Sequence, residues 1–305
     1  MTTPASCDSS QVTRRDFIRR TALTAGGLLT AGGSLAAAPN RTAADQVVLG
    51  RTGLKCSRLG LGTGSNGGNV QRGLGQEGFT RLIRHAYDQG LTFIDTAQSY
   101  HIHDMIREAV KGLPREKLFI QTKIGGGEKA LEIIDGFRKE LNSDYLDSLL
   151  VHCSTTRNWG AERAGLIDAV CEAQSRGWVK ASGVSCHSLP ALQLATTLDW
   201  VNVHLVRMNP QGAHMDTPAE TWNATSNPEH VPPVVAEVKR MRDRGHGVIG
   251  MKVLGEGDFK DPAEREKSIR WVMQNDLADA VVLGFKSTAE IDEAIGRINR
   301  ALAAG

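Results

Sequence analysis

Three consecutive apolar runs of the chain each end in an ionisable side chain. Asp95 closes the first run, Lys123 the second and His152 the third. Tyr100 lies five residues beyond Asp95. Buried Lys and Asp side chains are costly unless they are paired, so we expect Asp95 and Lys123 to form an ion pair. A phenol has an ordinary pKa of about 10, and a neighbouring ammonium lowers it. The pattern therefore predicts an acid–base site in which Tyr100 supplies a proton.

Each of these side chains also has an ordinary structural role open to it. Asp95 could cap the following helix, and Lys123 could be a salt-bridge partner. His152 could be a hydrogen-bonded core residue, and Tyr100 could pack at an edge. The site hypothesis therefore requires a fold that brings the four residues together.

Short apolar runs alternate with segments of helical periodicity from residue 59 onward, which is the pattern of a parallel sheet covered by helices. Most of the runs are rich in Val, Ile and Leu, as in strands buried on both faces. The eight runs are residues 59–62, 92–95, 118–123, 148–152, 179–185, 201–206, 248–254 and 280–285. Eight strands and eight helices in about 250 residues predict an α/β fold, a (β/α)8 TIM barrel whose active site lies at the C-terminal ends of the strands.

Two further segments complete the predicted barrel domain, which spans residues 46–305. The turn signal Gly50-Arg51-Thr52-Gly53 within residues 47–56 predicts a β-hairpin that closes the bottom of the barrel. Residues 208–232 hold two Asn-Pro pairs and a Pro-Pro pair after the sixth run. We expect them to form an irregular loop that contacts the substrate.

The segment FIDTAQSY, residues 93–100, resembles the signature of the aldo-keto reductase family, and the similarity extends along the chain from about Val47. The resemblance implies a (β/α)8 barrel that transfers hydride from a nicotinamide cofactor to an aldehyde or ketone, without a metal. It also implies a catalytic set at matching positions in FIDTAQSY, IQTK and LLVH. These positions are Asp95, Tyr100, Lys123 and His152.

The resemblance further assigns residues that would bind the nicotinamide end of the cofactor. Gly62 and Thr63 would line the nicotinamide ring. Ser185 and Asn202 would bind its carboxamide, and Met251 would pack on the ring in place of the aromatic residue that is common in the family.

The adenosine end of the cofactor is assigned to two later segments. Lys252 and Leu254 would lie along the pyrophosphate, and Lys286 and Ser287 would bind the adenosine 2′-phosphate. These two favour NADP as the cofactor. Glu290 stands where a phosphate-binding Arg is often found, so NAD remains an alternative. Ser287 and Glu290 are also spaced as a helix capping box.

Two other functions are compatible with parts of the chain. His101 and His103 follow Tyr100 with the H-x-H spacing that is typical of metal-dependent barrel hydrolases, for which His152, His187, His204 and His214 could be additional ligands. Cys186 replaces a carboxamide-binding Asn of the family. That replacement, together with Met251, is compatible with a regulatory module that binds a dinucleotide and turns over little.

The N-terminal residues predict an export signal. The segment TRRDFIR, residues 13–19, resembles a twin-arginine signal, and residues 21–38 form an uncharged run of Ala, Leu, Gly and Thr. The run is short and rich in Gly compared with the roughly 20 apolar residues of a membrane span. We therefore expect residues 1–38 to be a signal peptide that is recognised by the twin-arginine export machinery and then cleaved; the alternative is retention as an uncleaved membrane anchor. The mature protein would be periplasmic, with no stable membrane association.

The charge balance and the cysteine spacing argue against nucleic-acid binding and against two kinds of metal site. The 36 basic and 34 acidic residues leave a net charge of +2, so nothing in the composition suggests nucleic-acid binding. The five cysteines include no C-x-x-C pair, which argues against a zinc ribbon or an iron–sulfur cluster. We expect free thiols in packed positions and a small carbonyl compound as the partner.

Overall fold

Eight parallel strands close into a barrel in the computed structural model of the chain, which describes residues 41–222 and 225–304. The barrel strands are β3 (Leu59–Gly62), β4 (Phe93–Asp95), β5 (Phe119–Ile124), β6 (Leu146–Ser154), β7 (Val179–Cys186), β8 (Val203–Arg207), β9 (Gly247–Met251) and β10 (Ala280–Gly284). Each strand pairs with the next, and β10 pairs with β3 to close the ring. The predicted (β/α)8 barrel is confirmed.

Helices follow the strands and cover the outside of the barrel. The α-helices are Asn69–Gly73, Gly75–Asp88, His103–Ala109, Ala130–Glu140, Trp159–Glu162, Ala164–Ser175, Leu189–Thr197, Val231–Asp243, Pro262–Gln274 and Thr288–Ala303. Short 3₁₀ turns occur at Gln98–Tyr100, Arg115–Lys117, Pro228–His230 and Gly255–Gly257. None of the helices in the described ranges is long and apolar enough to cross a bilayer. The proposed signal, residues 1–38, lies outside the described residues.

The predicted N-terminal hairpin is present as β1 (Gln46–Val48) and β2 (Lys55–Ser57), which pair antiparallel. Its turn reaches the N-terminal end of the barrel, where the backbone N–H of Arg51 donates to the carbonyl of Gly245 at 2.8 Å. Gly50 has φ +48°, and a Cβ there would lie 2.3 Å from the backbone nitrogen of Gly247. Only glycine fits this close, left-handed approach. The C-terminal ends of the strands stay open on the opposite side.

Two apolar layers stabilise the barrel. An inner cluster of side chains fills the barrel interior and includes Leu49 from the hairpin, with Phe93 and Phe119 packed edge to face at 5.0 Å. An outer cluster joins the strands to the helices. Since apolar side chains of the strands face both layers, Val, Ile and Leu are frequent along the strands.

The strand boundaries differ from the predicted runs at two places that affect the site. β8 begins at Val203, so Asn202 precedes the strand at the N-terminal end of the barrel. β9 ends at Met251, which places Lys252 and Leu254 in the loop that follows. The irregular segment after β8 ends at Val231, where a helix starts two residues earlier than expected.

A pair of buried histidines outside the barrel makes stability depend on pH. His204 Nε2 lies 2.8 Å from His246 Nδ1, and the two rings stack with centroids 5.0 Å apart. Burial, together with the neighbouring His246, lowers the pKa of His204 to about 3. Below pH 6.5, His204 binds a proton in the unfolded chain but not in the folded chain. The free energy of unfolding therefore falls as the pH falls toward 3.

We expect His204→Gln to reduce this dependence, because the amide keeps a polar contact to His246 but does not titrate. Urea unfolding between pH 7 and pH 5 should show a slope for the wild type that exceeds that of the variant by as much as about 1.4 kcal/mol per pH unit. Identical slopes for the two proteins would show that His204 does not titrate differently in the folded and unfolded states.

Candidate active site

Asp95 and Lys123 form a buried ion pair at the C-terminal end of the barrel. Lys123 Nζ donates to both carboxylate oxygens of Asp95 at 2.8 Å and to the carbonyl of Thr96 at 2.7 Å. Gln121 Nε2 donates to Asp95 Oδ1 at 2.7 Å. Lys123 is 1% exposed. Burial acts to lower the pKa of Lys123, but the electrostatic attraction and hydrogen bonding of Asp95 and Tyr100 together outweigh it and raise that pKa, so the ammonium stays charged.

Tyr100 lies directly beside this pair, at the end of the 3₁₀ turn after β4. Lys123 Nζ is 5.2 Å from the centroid of the phenol ring, within the range of a cation–π contact. The Tyr100 carbonyl accepts a hydrogen bond from Arg72 Nη1, which fixes the turn. A Cβ on Gly64 would lie 2.5 Å from the phenol ring, so the ring rests on the bare backbone of that glycine.

The pKa of Tyr100 is displaced in the direction opposite to the one expected from the sequence. Burial of the phenol raises its pKa above the ordinary value, and Lys123 opposes this effect without reversing it. The expected net lowering by the cation was therefore wrong, because desolvation of the phenolate exceeds the attraction of one ammonium that is already paired with Asp95. Tyr100 is protonated at neutral pH, which is the state that a proton donor needs.

His152, which lies on β6, is the fourth residue of the site. Its ring centroid lies 5.8 Å from that of Tyr100, with the planes at 85°. Burial, followed by the charges of Lys123 and Arg163, lowers the pKa of His152 to about 3. The imidazole is therefore neutral, and one ring nitrogen carries a proton that can be donated to an oxygen. The strand is irregular next to it, where Cys153 adopts φ +58°.

A cavity of about 650 Å³ opens above these four residues. Most of the predicted cofactor residues line it together with the catalytic set. They are Gly62, Ser185, Met251, Lys252, Leu254 and Lys286. Further basic side chains that the sequence did not single out are also on its wall. They are Lys260, Arg265 and Arg297. The cavity thus combines a proton-donating end with a basic end.

Three predicted cofactor residues do not line this cavity. Asn202 is the clearest correction, because its side-chain oxygen accepts from Gln174 and Ser182 at the hairpin end of the barrel. Thr63 is fully buried, and its hydroxyl donates to the carbonyl of Asp95 at 3.0 Å. Ser287 caps the last helix by accepting from the N–H of Glu290, so the capping-box reading describes its observed role.

The end of β7 presents alternate residues to the cavity. Ser185 and His187 line it, whereas Cys186 is fully buried in the outer apolar layer. The period-2 alternation of a strand explains this arrangement. The sequence suggested His187 only as a metal ligand, although its spacing of two from Ser185 places it on the inner face. The four cysteines among the described residues are free thiols, as expected.

His101 and His103 do not converge on a common point. His101 is exposed in a left-handed turn, with φ +51°. His103 is buried, with Nδ1 2.7 Å from Glu140 and Nε2 2.8 Å from the Thr122 hydroxyl. Over residues 41–222 and 225–304, no group of three His, Cys, Asp or Glu side chains could hold a metal ion. The metal-hydrolase alternative therefore lacks the ligand set that it requires.

This geometry suits proton donation to an oxygen held between two donors. The Tyr100 hydroxyl and the neutral His152 face one end of the cavity, and the charged Lys123 behind Tyr100 can stabilise the phenolate that remains after proton transfer. The basic side chains at the other end suit an anionic group such as a pyrophosphate.

Known proteins resemble the chain in sequence over part of its length. The Aldo-keto reductase YhdN of Bacillus subtilis (strain 168) is 29% identical over 154 residues, which cover 45% of this chain and 46% of that protein. The NADH-specific methylglyoxal reductase of Escherichia coli (strain K12) is 25% identical over 167 residues, which cover 46% of this chain and 51% of that enzyme. The chain thus spans about half the length of these curated relatives.

Similarity in fold to solved structures extends over more of the chain than the similarity in sequence does. An aldo-keto reductase from Bacillus halodurans, solved in its holo form, superposes with a TM-score of 0.66 over 85% of this chain and 95% of that one, at 16% identity. The sequence profile of the Aldo/keto reductase family matches residues 58–267. This match covers more than half of the chain and includes the strands that end near Asp95, Lys123 and His152, so the chain belongs to the aldo/keto reductase family.

Proposed function

We infer that the chain is an NAD(P)H-dependent oxidoreductase that reduces small aldehydes or ketones to alcohols. The observation that carries this inference is the Asp95–Lys123 pair, with both Nζ–O distances at 2.8 Å, buried beside Tyr100 and opposite His152. Membership in the aldo/keto reductase family supports it. The same buried acid–base set favours a reductase over a regulatory module that only binds a dinucleotide.

In the proposed reaction, each of the four residues acts on the carbonyl oxygen or on its proton donor. His152, which is neutral, orients the carbonyl by donating a hydrogen bond to its oxygen. Tyr100 gives its proton to the same oxygen as the carbon is reduced. Lys123 stabilises the resulting phenolate, and Asp95 holds the ammonium at the required place. The bound nicotinamide supplies the hydride that the carbonyl carbon accepts.

The cavity could accommodate a dinucleotide, because basic side chains line it together with the catalytic set. Lys252 and Lys260 stand on its wall and could hold the pyrophosphate, and Lys252 Nζ is also paired with Glu256 Oε2 at 2.6 Å. Gly284 lies on the same wall, where the absence of a Cβ makes room for Ser65 Oγ, which would lie 2.0 Å from it. Met251 and Ser185 line the same cavity as Tyr100, and we assign them to the nicotinamide.

NADPH remains our proposed cofactor, with a modest preference over NADH. Lys286 is an exposed cation on the cavity wall, but Glu290 Oε1 lies 3.8 Å from its Nζ. Glu290 Oε2 also accepts from the Lys286 backbone N–H at 2.9 Å. The Glu290 carboxylate would repel a 2′-phosphate, and it also offsets part of the positive charge of Lys286 that would attract the phosphate.

Glu290→Gln is expected to strengthen NADPH binding by about three- to tenfold at low ionic strength and to leave NADH binding within about twofold. The amide oxygen can still accept from the Lys286 N–H, so the helix cap is preserved. Quenching of protein fluorescence gives both dissociation constants without turnover. An equal change for the two cofactors would place the 2′-phosphate away from Lys286.

The proposed function is tested directly by turnover. Purified protein is mixed with NADPH or NADH and a panel of short aldehydes and ketones, and oxidation is followed at the nicotinamide absorbance band. We expect oxidation that requires the carbonyl compound and yields the matching alcohol. Tight cofactor binding without any turnover would favour the regulatory module instead.

We also propose that the protein is exported to the periplasm through the twin-arginine pathway. The proposal rests on Arg14 and Arg15 within TRRDFIR and on the uncharged run that follows. Changing both arginines to Lys should retain the protein in the cytoplasm, as measured by cell fractionation. Unchanged periplasmic recovery of the variant would rule out this route.

A further inference from the structure

A second histidine faces the cavity beside His152 and has no part in the proposed proton transfer. His187 directly follows β7, is 8% exposed and lines the cavity wall. Its ring centroid lies 6.3 Å from that of His152, with the ring planes at 79°. The two imidazoles therefore form adjacent parts of one wall near Tyr100.

The tautomer of His187 is fixed from behind by Arg207. A guanidinium has only donors, so the hydrogen bond from Arg207 Nη2 to His187 Nδ1 requires that Nδ1 accept. The ring proton of the neutral imidazole must then be on Nε2. Burial, followed by the charge of Arg207, lowers the pKa of His187 well below its ordinary value. The ring therefore stays neutral near pH 7, and Nδ1 remains a hydrogen-bond acceptor.

Arg207 is fully buried at the end of β8 and contacts the loop that follows this strand. Its Nε lies 3.5 Å from Asp216 Oδ1, and among the described residues neither Nε nor Nη1 has a hydrogen-bond partner. Its Nη2 also donates to the carbonyl of Trp222 at 3.2 Å. Asp216 and Trp222 belong to the irregular loop after β8, so this loop sets the position of the guanidinium.

The N–H on His187 Nε2 is only weakly engaged within the protein. Ser185 Oγ lies 3.3 Å from Nε2, at the long end of the range for a hydrogen bond from nitrogen to oxygen. A substrate oxygen could replace this contact at small cost. His187 thus presents a second N–H donor to the cavity, next to the one on His152.

Building on the proposed reductase function, we propose that His187 selects substrates with a second oxygen on the carbon next to the reacting carbonyl, and that Arg207 is the positioning residue that fixes its tautomer. The substrate class is 2-oxo and 2-hydroxy aldehydes and ketones. When oxygens on adjacent carbons lie on the same side of the carbon–carbon bond they are roughly 3 Å apart, the length of one hydrogen bond. The rings of His152 and His187, with centroids 6.3 Å apart on one wall, are near enough for each to donate to one oxygen of a substrate in that conformation.

The test compares two ketones that differ in the second oxygen, butane-2,3-dione and butan-2-one. The wild type should reduce the dione with the higher kcat/KM. His187→Leu should lower kcat/KM for the dione by about 10- to 100-fold, mostly through KM, and that for butan-2-one by less than about threefold. His187→Gln, which restores an N–H donor, should recover part of the loss. His101→Asn, a change of an exposed histidine outside the cavity, serves as the control.

A double variant tests the role of Arg207. The groups that act on His187 are Arg207 from β8, His152 from β6, Lys123 from β5 and Lys252 after β9, with Asp216 behind Arg207. The double variant Arg207→Gln/Asp216→Asn leaves no unpaired buried charge from this pair. Without the guanidinium, neutral His187 can carry its proton on Nδ1, which removes the Nε2 donor from the cavity. The ratio of dione to butan-2-one kcat/KM should therefore fall in the double variant, while kcat/KM for butan-2-one changes by less than about threefold.

The outcomes separate this inference from the proposed function. An equal loss on both ketones in His187→Leu, no preference of the wild type for the dione, or an unchanged dione to butan-2-one ratio in the double variant would overturn the inference and leave the reductase function standing. No oxidation of NADPH or NADH with either ketone, or with simple aldehydes, would overturn both.

Discussion

Tyr100→Phe is expected to lose carbonyl reduction by about 10²- to 10⁴-fold in kcat, since the variant lacks the hydroxyl that we assign as the proton donor to the carbonyl oxygen. The change removes one oxygen atom and keeps the ring on the Gly64 backbone and beside Lys123. The dissociation constant for NADPH should therefore change by less than about twofold, and the melting temperature should stay close to that of the wild type. Steady-state kinetics, fluorescence titration and thermal unfolding measure the three quantities.

Tyr87→Phe provides the matched control for this variant. Tyr87 is a half-buried tyrosine on the helix Gly75–Asp88, packed against the outer apolar layer and away from the cavity. It should keep wild-type kcat. Full activity of Tyr100→Phe would assign the proton to another donor, and equal losses in both variants would point to damage of the fold.

Much of the fold was predictable because the barrel strands are buried on both faces. A strand of this kind is rich in Val, Ile and Leu, so residues 149–151 of β6 and 280–283 of β10 appear in the sequence as unbroken apolar runs. A charged residue at the end of such a run is conspicuous. For this reason Asp95, Lys123 and His152 could be proposed together, and the structure brings them to one end of the barrel.

The position along a strand was harder to predict than the strand itself. Asn202 was assigned to the nicotinamide, yet β8 starts one residue later, so the side chain lies at the opposite end of the barrel. Apolar runs show that a strand is present but not where its hydrogen bonding begins. A shift of a few residues, at about 3.3 Å each, moves a side chain across half of a short strand.

Interactions between distant segments were not predictable from local patterns. The role of His187 depends on Arg207, and the burial of Arg207 depends on Asp216 from a loop with no regular structure. The pKa of Tyr100 posed a similar difficulty. Spacing indicated the cation beside the phenol, but only the packed structure shows that burial outweighs the attraction of Lys123.

Lys123→Met should be the most damaging substitution for stability at this site. It leaves the Asp95 carboxylate 4% exposed, with Gln121 as its remaining side-chain donor. Breaking a buried pair in this way costs about 3–5 kcal/mol. The unpaired carboxyl should also have a raised pKa in the folded state. The destabilisation should therefore grow as the pH rises above about 4 and be larger at pH 8 than at pH 5, as measured by urea unfolding at the two pH values.

The double variant Asp95→Asn/Lys123→Met separates the structural role of the pair from its chemical role. Without a buried charge it should regain most of the stability lost in Lys123→Met, and its unfolding should lose the difference between pH 5 and pH 8. Reduction should stay at least about 100-fold below that of the wild type, because Tyr100 no longer has a cation to stabilise its phenolate. Recovery of activity together with stability would mean that the ion pair only supports the fold, whereas stable but inactive protein assigns Lys123 to the chemistry of Tyr100.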